Sequence, residues 1–188
     1  MIVEALVHLK GDLAGTYYPL SNLSEEQKQQ LRQDHILFEE PDKFLSAAGG
    51  NRDWPDGRGV YISDDKKFIV WVNEEDHLKI ISMQSGANFA ESFDRLARGV
   101  AELDKLLPYV FMDLLGYLPS CPSNLGTGMK ASVHVHLPVL GDHTEHMDKI
   151  SEDYNVLYEP LYGGSSGTDS AGHIFVVSNR LRMERSEV

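Results

Sequence analysis

Glu74, Glu75 and Asp76, with His77 behind them, follow directly on the apolar run Phe68-Ile69-Val70-Trp71-Val72. Unbroken β-branched and aromatic residues predict a strand buried on nearly both faces. A second apolar run, Leu78 to Met83, predicts a partner strand, so the carboxylates sit in the turn between them. An acidic turn is ordinarily solvated. One that issues from the end of a buried strand is expected to hold at least one carboxylate rigidly over a cleft. A second reactive candidate is Cys121, set between Ser120 and Pro122-Ser123, whose hydroxyls could stabilise a thiolate. A lone cysteine is otherwise most often a small buried hydrophobe. His134, His136, His143 and His146 invite a metal reading, but a His-x-His strand pair with loop histidines lacks a convincing fourth ligand or second shell. No metal site is expected.

The chain that must position these groups has 188 residues, enough for one sizeable domain with a real core. Its 17 Lys and Arg against 29 Asp and Glu give a net charge of −12. That balance disfavours general binding to nucleic acid or to an anionic membrane, and any anionic ligand would need a local cluster of positive groups. A single cysteine excludes an internal disulfide and fits a reducing compartment. Met1 to Leu9 is too short and too acidic for a signal peptide, and no apolar run approaches the length of a membrane helix. A cytoplasmic protein without a nucleic-acid or membrane partner is the expectation.

Ile2, Ala5, Leu6 and Leu9 have helical spacing, and Gly11 is a plausible stop. Gly15 to Leu20 reads as a connector. Ser24 with Gln27 forms a capping-box pattern opening a polar helix through about Asp34, with His35 at its C-terminal edge. Glu39 to Asp56 is loop-rich. Arg58 to Ser63 and Lys67 to Val72 predict two strands joined at Ser63-Asp64-Asp65-Lys66. Asn88 to Leu107 is the clearest helix, with Phe89, Phe93, Leu96, Ala97, Val100, Leu103 and Leu107 as its apolar face. Glu91, Asp94, Arg95, Arg98 and Glu102 lie mostly off that face, and Pro108 ends the helix.

Gly116 to Ser120 reads as a short strand. Lys130 to Leu137 alternates, with Val133 and Val135 inward and His134 and His136 outward, as a half-buried strand does. Glu145 to Asp153 predicts a helix, Val156 to Tyr158 and Ile174 to Val177 predict strands, and Gly163 to Gly167 has the composition of a flexible linker. Many strands with short turns and few helices argue an α+β fold around a mainly antiparallel sheet flanked by helices.

Four blocks carry a resemblance. Val72-Asn73-Glu74-Glu75-Asp76-His77-Leu78 with Ile81-Ser82-Met83 is similar to the signature of the phosphagen (guanidino) kinases, the creatine and arginine kinase family. So are Arg52-Asp53-Trp54-Pro55-Asp56-Gly57-Arg58-Gly59, Asp34-His35-Ile36-Leu37-Phe38 and Cys121-Pro122-Ser123-Asn124-Leu125-Gly126-Thr127-Gly128. They occur in the family's order, and the likeness runs from about Val3 to Val188. The resemblance implies the catalytic lobe of these kinases, residues 1–188, with an antiparallel sheet and packed helices. The small helical lobe that precedes it in the family and the long helix that follows it are not in this sequence, so the chain is read as an incomplete lobe.

It also implies a reaction: reversible transfer of the γ-phosphoryl of ATP to a guanidino substrate such as creatine or arginine, with ATP/ADP as nucleotide and Mg²⁺ bound through it. Glu75 then aims the guanidinium, since two carboxylate oxygens match the planar donor fork, and takes part in accepting its proton. Glu74 serves the Mg²⁺-nucleotide side, and Cys121, with Ser123 and Asn124, contacts the guanidino substrate. His35, Lys79, Lys130, Gly163, Gly164 and Ser165 fall on the nucleotide side. A homodimer is one assembly that the resemblance allows.

The family lines its phosphate pocket with arginines, and here Lys79, Lys130 and Tyr162 stand where three of them belong. Lysine keeps the charge but loses the bidentate fork. With charge-assisted hydrogen bonds worth roughly 1.5–3 kcal/mol each, the guanidino side is better preserved than the nucleotide side. The expectation is a weak or inactive kinase as an isolated chain, and the alternative is a non-catalytic relative acting as a binding or regulatory module. Substrate choice stays open. Gly57 to Tyr61 looks closer to arginine kinases, Gly116-Tyr117-Leu118 looks closer to creatine kinases, and Thr168 lies near where arginine kinases carry a second substrate-binding glutamate.

Overall fold

The computed structural model describes residues 1–39, 43–160 and 173–183. The chain forms two compact units, Met1–Tyr109 and Val110–Val188.

The first unit is built on a four-stranded antiparallel sheet in simple sequence order: β1 (Gly15–Pro19), β2 (Gly59–Ser63), β3 (Phe68–Val72) and β4 (Leu78–Ser82). Successive residues of a strand face opposite sides, and β3 supplies a core to each. Phe68, Val70 and Val72 pack with Tyr61, Leu103 and Leu107 and with Ala5, Leu6, Leu9 and Leu13 of the N-terminal segment, which contains helix α1 (Ile2–Leu6). Ile69 and Trp71 face the other core, made with Val60, Leu20, Ile36, Leu37 and Phe38. The expected doubly buried strand is thus present. Helix α2 (Glu25–Gln33) opens with the predicted capping box, Ser24 and Gln27 exchanging side-chain and backbone bonds. A short helix, α3 (Lys43–Ala47), precedes β2.

Two readings of the sequence need correction here. Gly15 to Pro19 is an edge strand rather than a connector. Its register partner β2 lies more than forty residues downstream, and that non-local pairing supplies hydrogen bonds that local composition does not announce. The second concerns α4 (Phe89–Asp104), which forms as predicted with Asn88 accepting from the Glu91 N–H. Its buried residues are Arg95, Gly99 and Leu103, while Phe89 and Phe93 are 54% and 44% exposed. The helix is rotated because Arg95 finds polar partners on the sheet. Its guanidinium donates to the Ser82 hydroxyl, the Met83 carbonyl, Gln84 and Glu91, each at 3.1 Å. Gly99 permits the approach. A Cβ there would lie 2.4 Å from the ring of Phe68, so any larger residue would push the helix off the sheet.

The second unit contains a two-residue ribbon, β5 (Phe111–Met112) with β6 (Gly116–Tyr117), and a three-stranded antiparallel sheet. That sheet has the order β7 (Ser132–His136), β9 (Ile174–Asn179), β8 (Val156–Pro160), with α5 (Thr144–Tyr154) leading into β8. The strand predicted for Gly116 to Ser120 is limited to its first two residues. In β7, Val133 and Val135 are half-buried and His134 and His136 exposed, as the alternation predicts. Together the units form the expected mixed fold of antiparallel sheets with few helices. Among the described residues no helix is long and apolar enough to cross a membrane.

Candidate functional site

In the first unit the candidate residues gather where β3 hands over to β4. The last register pairs are Trp71 with Lys79 and Val72 with Leu78. The Asn73 N–H then donates to the His77 carbonyl at 3.1 Å, leaving Glu74, Glu75 and Asp76 as the tip. Asn73 adopts φ +56°, the left-handed region that asparagine tolerates better than most side chains. Its carboxamide nitrogen donates to the Gly57 carbonyl at 2.7 Å, and its oxygen lies 3.0 Å from Nδ1 of His77.

Glu74 is 19% exposed. One carboxylate oxygen is 3.9 Å from the Lys79 ammonium, and the other is buried with no hydrogen-bond partner. A buried carboxylate oxygen left unpaired is energetically unfavourable unless a cationic ligand completes it. Glu75 is half-buried beside it. The Lys79 ammonium sits 4.7 Å from the centre of the Trp71 ring, a cation–π contact. The indole N–H of Trp71 in turn donates to the Ile36 carbonyl at 2.7 Å.

That bond fixes the neighbour of His35. After α2 the chain makes a Schellman closure, with the His35 N–H donating to the Arg32 carbonyl and the Ile36 N–H to the Leu31 carbonyl. His35 occupies the left-handed position, φ +57°, where glycine is usual, and its ring is exposed. Glu74, Lys79 and the Ile36 carbonyl next to His35 are therefore linked through Trp71. Behind them Arg58, 7% exposed, donates to the carbonyls of Gly50, Arg52 and Asp56 and stacks on Trp54.

In the second unit Cys121 is a half-buried free thiol immediately before a single 3₁₀ turn, Pro122–Asn124. Proline at the first position suits that start, because the N–H it lacks would be unpaired there. The sulfur lies 3.0 Å from the Ser123 hydroxyl, one of the two neighbours singled out in the sequence. The loop is fastened by Arg182, whose guanidinium donates to the Ser123 carbonyl at 2.8 Å and to the Asn124 side chain. The Arg182 carbonyl accepts from the Thr127 N–H at 3.0 Å. Gly126, φ +104°, lies so close to that carbonyl that a Cβ would stand 2.1 Å away.

Lys130 is exposed, and Asn179 brackets it, accepting from the Ala131 N–H and donating to the Met129 carbonyl. Gly163, Gly164 and Ser165, like Tyr162 and Thr168, lie outside the described residues. Among the described residues no three His, Cys, Asp or Glu side chains form a group able to hold a metal ion. His143 and His146 meet edge to face, 5.6 Å between ring centres. The clasps made by Asn73 and by Arg182 were missed in the sequence. An asparagine ending a strand just before a charged tip was the available signal for the first, and no local signal existed for the second.

The chain's whole length, residues 1–188, matches the family model described as the ATP:guanido phosphotransferase C-terminal catalytic domain. It is 48% identical over 188 residues to an arginine kinase of Anthopleura japonica, covering 100% of this chain and 26% of that protein. It is 46% identical over 186 residues to an arginine kinase of Penaeus monodon, covering 99% of this chain and 52% of that protein. Among solved structures it is similar to the duplicated taurocyamine kinase of Schistosoma mansoni with bound transition state analog components. The TM-score there is 0.89 at 43% identity, over 98% of this chain and 25% of that one. A lombricine kinase superposes with a TM-score of 0.88 at 41% identity, over 99% of this chain and 52% of that one. The chain belongs to the ATP:guanido phosphotransferase family, and what it matches is the catalytic domain. It spans about half of the length of two of these relatives and about a quarter of the other two.

Proposed function

We propose that this chain is the catalytic part of an ATP:guanidino phosphotransferase whose acceptor is arginine. The observation that carries the reading is the acidic tip, clasped at the end of a strand buried on both faces, with one oxygen of Glu74 buried and unpaired. Arginine is favoured among acceptors because the Anthopleura japonica and Penaeus monodon relatives, 48% and 46% identical, are arginine kinases.

In this reading a guanidine nitrogen attacks the γ-phosphorus of Mg-ATP, ADP leaves, and a proton departs from the attacking nitrogen. Little covalent chemistry falls to the protein, so aim and charge compensation dominate. Glu75 grips the guanidinium and accepts the proton. Glu74 faces the cation carried by the nucleotide, and Lys79, Lys130 and the exposed ring of His35 serve the nucleotide itself. Cys121, its sulfur 3.0 Å from the Ser123 hydroxyl, orients the guanidino group, with Ser123 and Asn124 shaping that edge.

The test is to incubate the chain with Mg-ATP and L-arginine and to follow phosphoarginine by ³¹P NMR. Slow transfer is expected, and Glu75→Gln should lower it by about 100- to 10,000-fold, the span of a lost general base. Absence of both transfer and Mg-ATP binding at saturating ligand would remove the reading.

A second reading, a non-catalytic binding module, draws on one observation: the Lys79 ammonium is engaged by Trp71 and near Glu74, in a position where the family carries an arginine fork. It predicts no turnover even in the Lys79→Arg, Lys130→Arg double variant.

A further inference from the structure

We propose that Asn73 is a positioning residue, whose carboxamide sets the pose of Glu74 and Glu75 by tying the acidic tip to the loop ahead of β2. The inference rests on the kinase reading above and names a part of that site which the roles given so far leave out.

Three contacts converge on this one residue. Its backbone N–H closes the tip onto the His77 carbonyl, its side-chain nitrogen donates to Gly57, and its side-chain oxygen faces His77. Because the nitrogen must face a carbonyl, the oxygen must face the imidazole, and Nδ1 of His77 is then the donor.

The Gly57 carbonyl is a firm anchor. It precedes Arg58, which is buried and bonded to three backbone carbonyls of the same loop, and Gly59 pairs with Val72 in the sheet. Without the carboxamide the tip would lose both side-chain bonds that tie it to His77 and to the loop ahead of β2. Glu74 and Glu75 would then sample several poses, and the Glu75 carboxylate, which must match a planar fork, loses affinity when its pose is not fixed.

Two variants separate side chain from backbone. Asn73→Gly keeps the left-handed φ without strain and deletes both side-chain bonds. Asn73→Asp keeps the acceptor for His77 but turns an oxygen toward the Gly57 carbonyl. Calorimetric titration with L-arginine should show affinity falling about tenfold in each. Affinity for Mg-ATP should fall by less, about threefold, because Glu74 is also held by its own burial and by Lys79, and amide exchange at Glu74 to Asp76 should quicken about tenfold. A purely structural role would move both ligands together with the melting temperature.

Unchanged arginine affinity in Asn73→Gly, beside a wild-type chain that binds arginine, overturns the proposal and leaves the kinase reading standing. A wild-type chain that binds no arginine removes that reading and the clasp's role with it.

Discussion

The acidic tip and the cysteine loop hold their reactive groups in opposite ways. The tip is the end of a strand with apolar cores on both faces, so packing fixes it. The cysteine loop rests on a short turn, one arginine and a glycine pressed against a carbonyl, so polar contacts fix it. The sheets repeat the contrast. Phe68, Ile69 and Val70 of β3 are wholly inaccessible, whereas Phe175 is the only strand residue of the three-stranded sheet among the buried apolar side chains. The difference teaches that within one chain carboxylates are positioned by a scaffold and a thiol by a latch.

Core truncation should break the comparison most visibly. Phe68→Ala empties a site between the sheet and α4 and should cost about 3–5 kcal/mol by chemical denaturation. Phe175→Ala, on a sheet with less around it, should cost less, about 2–3 kcal/mol. Equal losses would mean that the second unit is packed as tightly as the first.

A smaller effect sharpens the nucleotide side. Lys79→Arg with Lys130→Arg restores two forked donors, each worth about 1 kcal/mol over a point charge in a charge-assisted contact. Mg-ADP affinity by calorimetry should rise roughly thirtyfold. No rise would show that neither side chain meets a phosphate.

The smallest effect is a pH dependence that differs in sign between the units. In the first, the hydrogen bonds from Arg98 to Asp12, both 2.7 Å, hold that carboxyl below its ordinary value. A depressed folded-state pKa stabilises above the unfolded value and is lost as pH falls through the folded one. In the second, the bond from Tyr158 to Asp148 at 2.7 Å raises the phenol. A raised pKa stabilises below the unfolded value, about 10, and is lost as pH climbs. Melting curves should therefore lose an Asp12-dependent increment below about pH 4 and a Tyr158-dependent one above about pH 10. Asp12→Asn and Tyr158→Phe should each flatten only its own limb. Both increments are small, since both sites are partly exposed and screened.

Much of this was legible in the sequence because the relevant signals are local. The apolar run ending in Glu74 fixes both the inner strand and its acidic tip. Ser24 and Gln27 announce α2, and alternation from Lys130 to Leu137 announces β7. The failures share a cause as well. Periodicity measures apolar content, so it turned α4 by its phenylalanines. The helix instead buries Arg95, whose partners Ser82, Met83 and Gln84 lie on another element. Edge strand β1 was hidden because its pairing is non-local, and Arg182 because nothing near it mentions the cysteine. In the site, residue types were readable but their fasteners were not.

Arg182 lies fifty-nine residues after the carbonyl it grips. As the chain leaves the ribosome, Cys121 emerges long before its fastener does. Contacts that distant form late in folding, so the loop carrying the thiol spends the early life of the molecule unfastened and takes its shape only once the segment after β9 has come home.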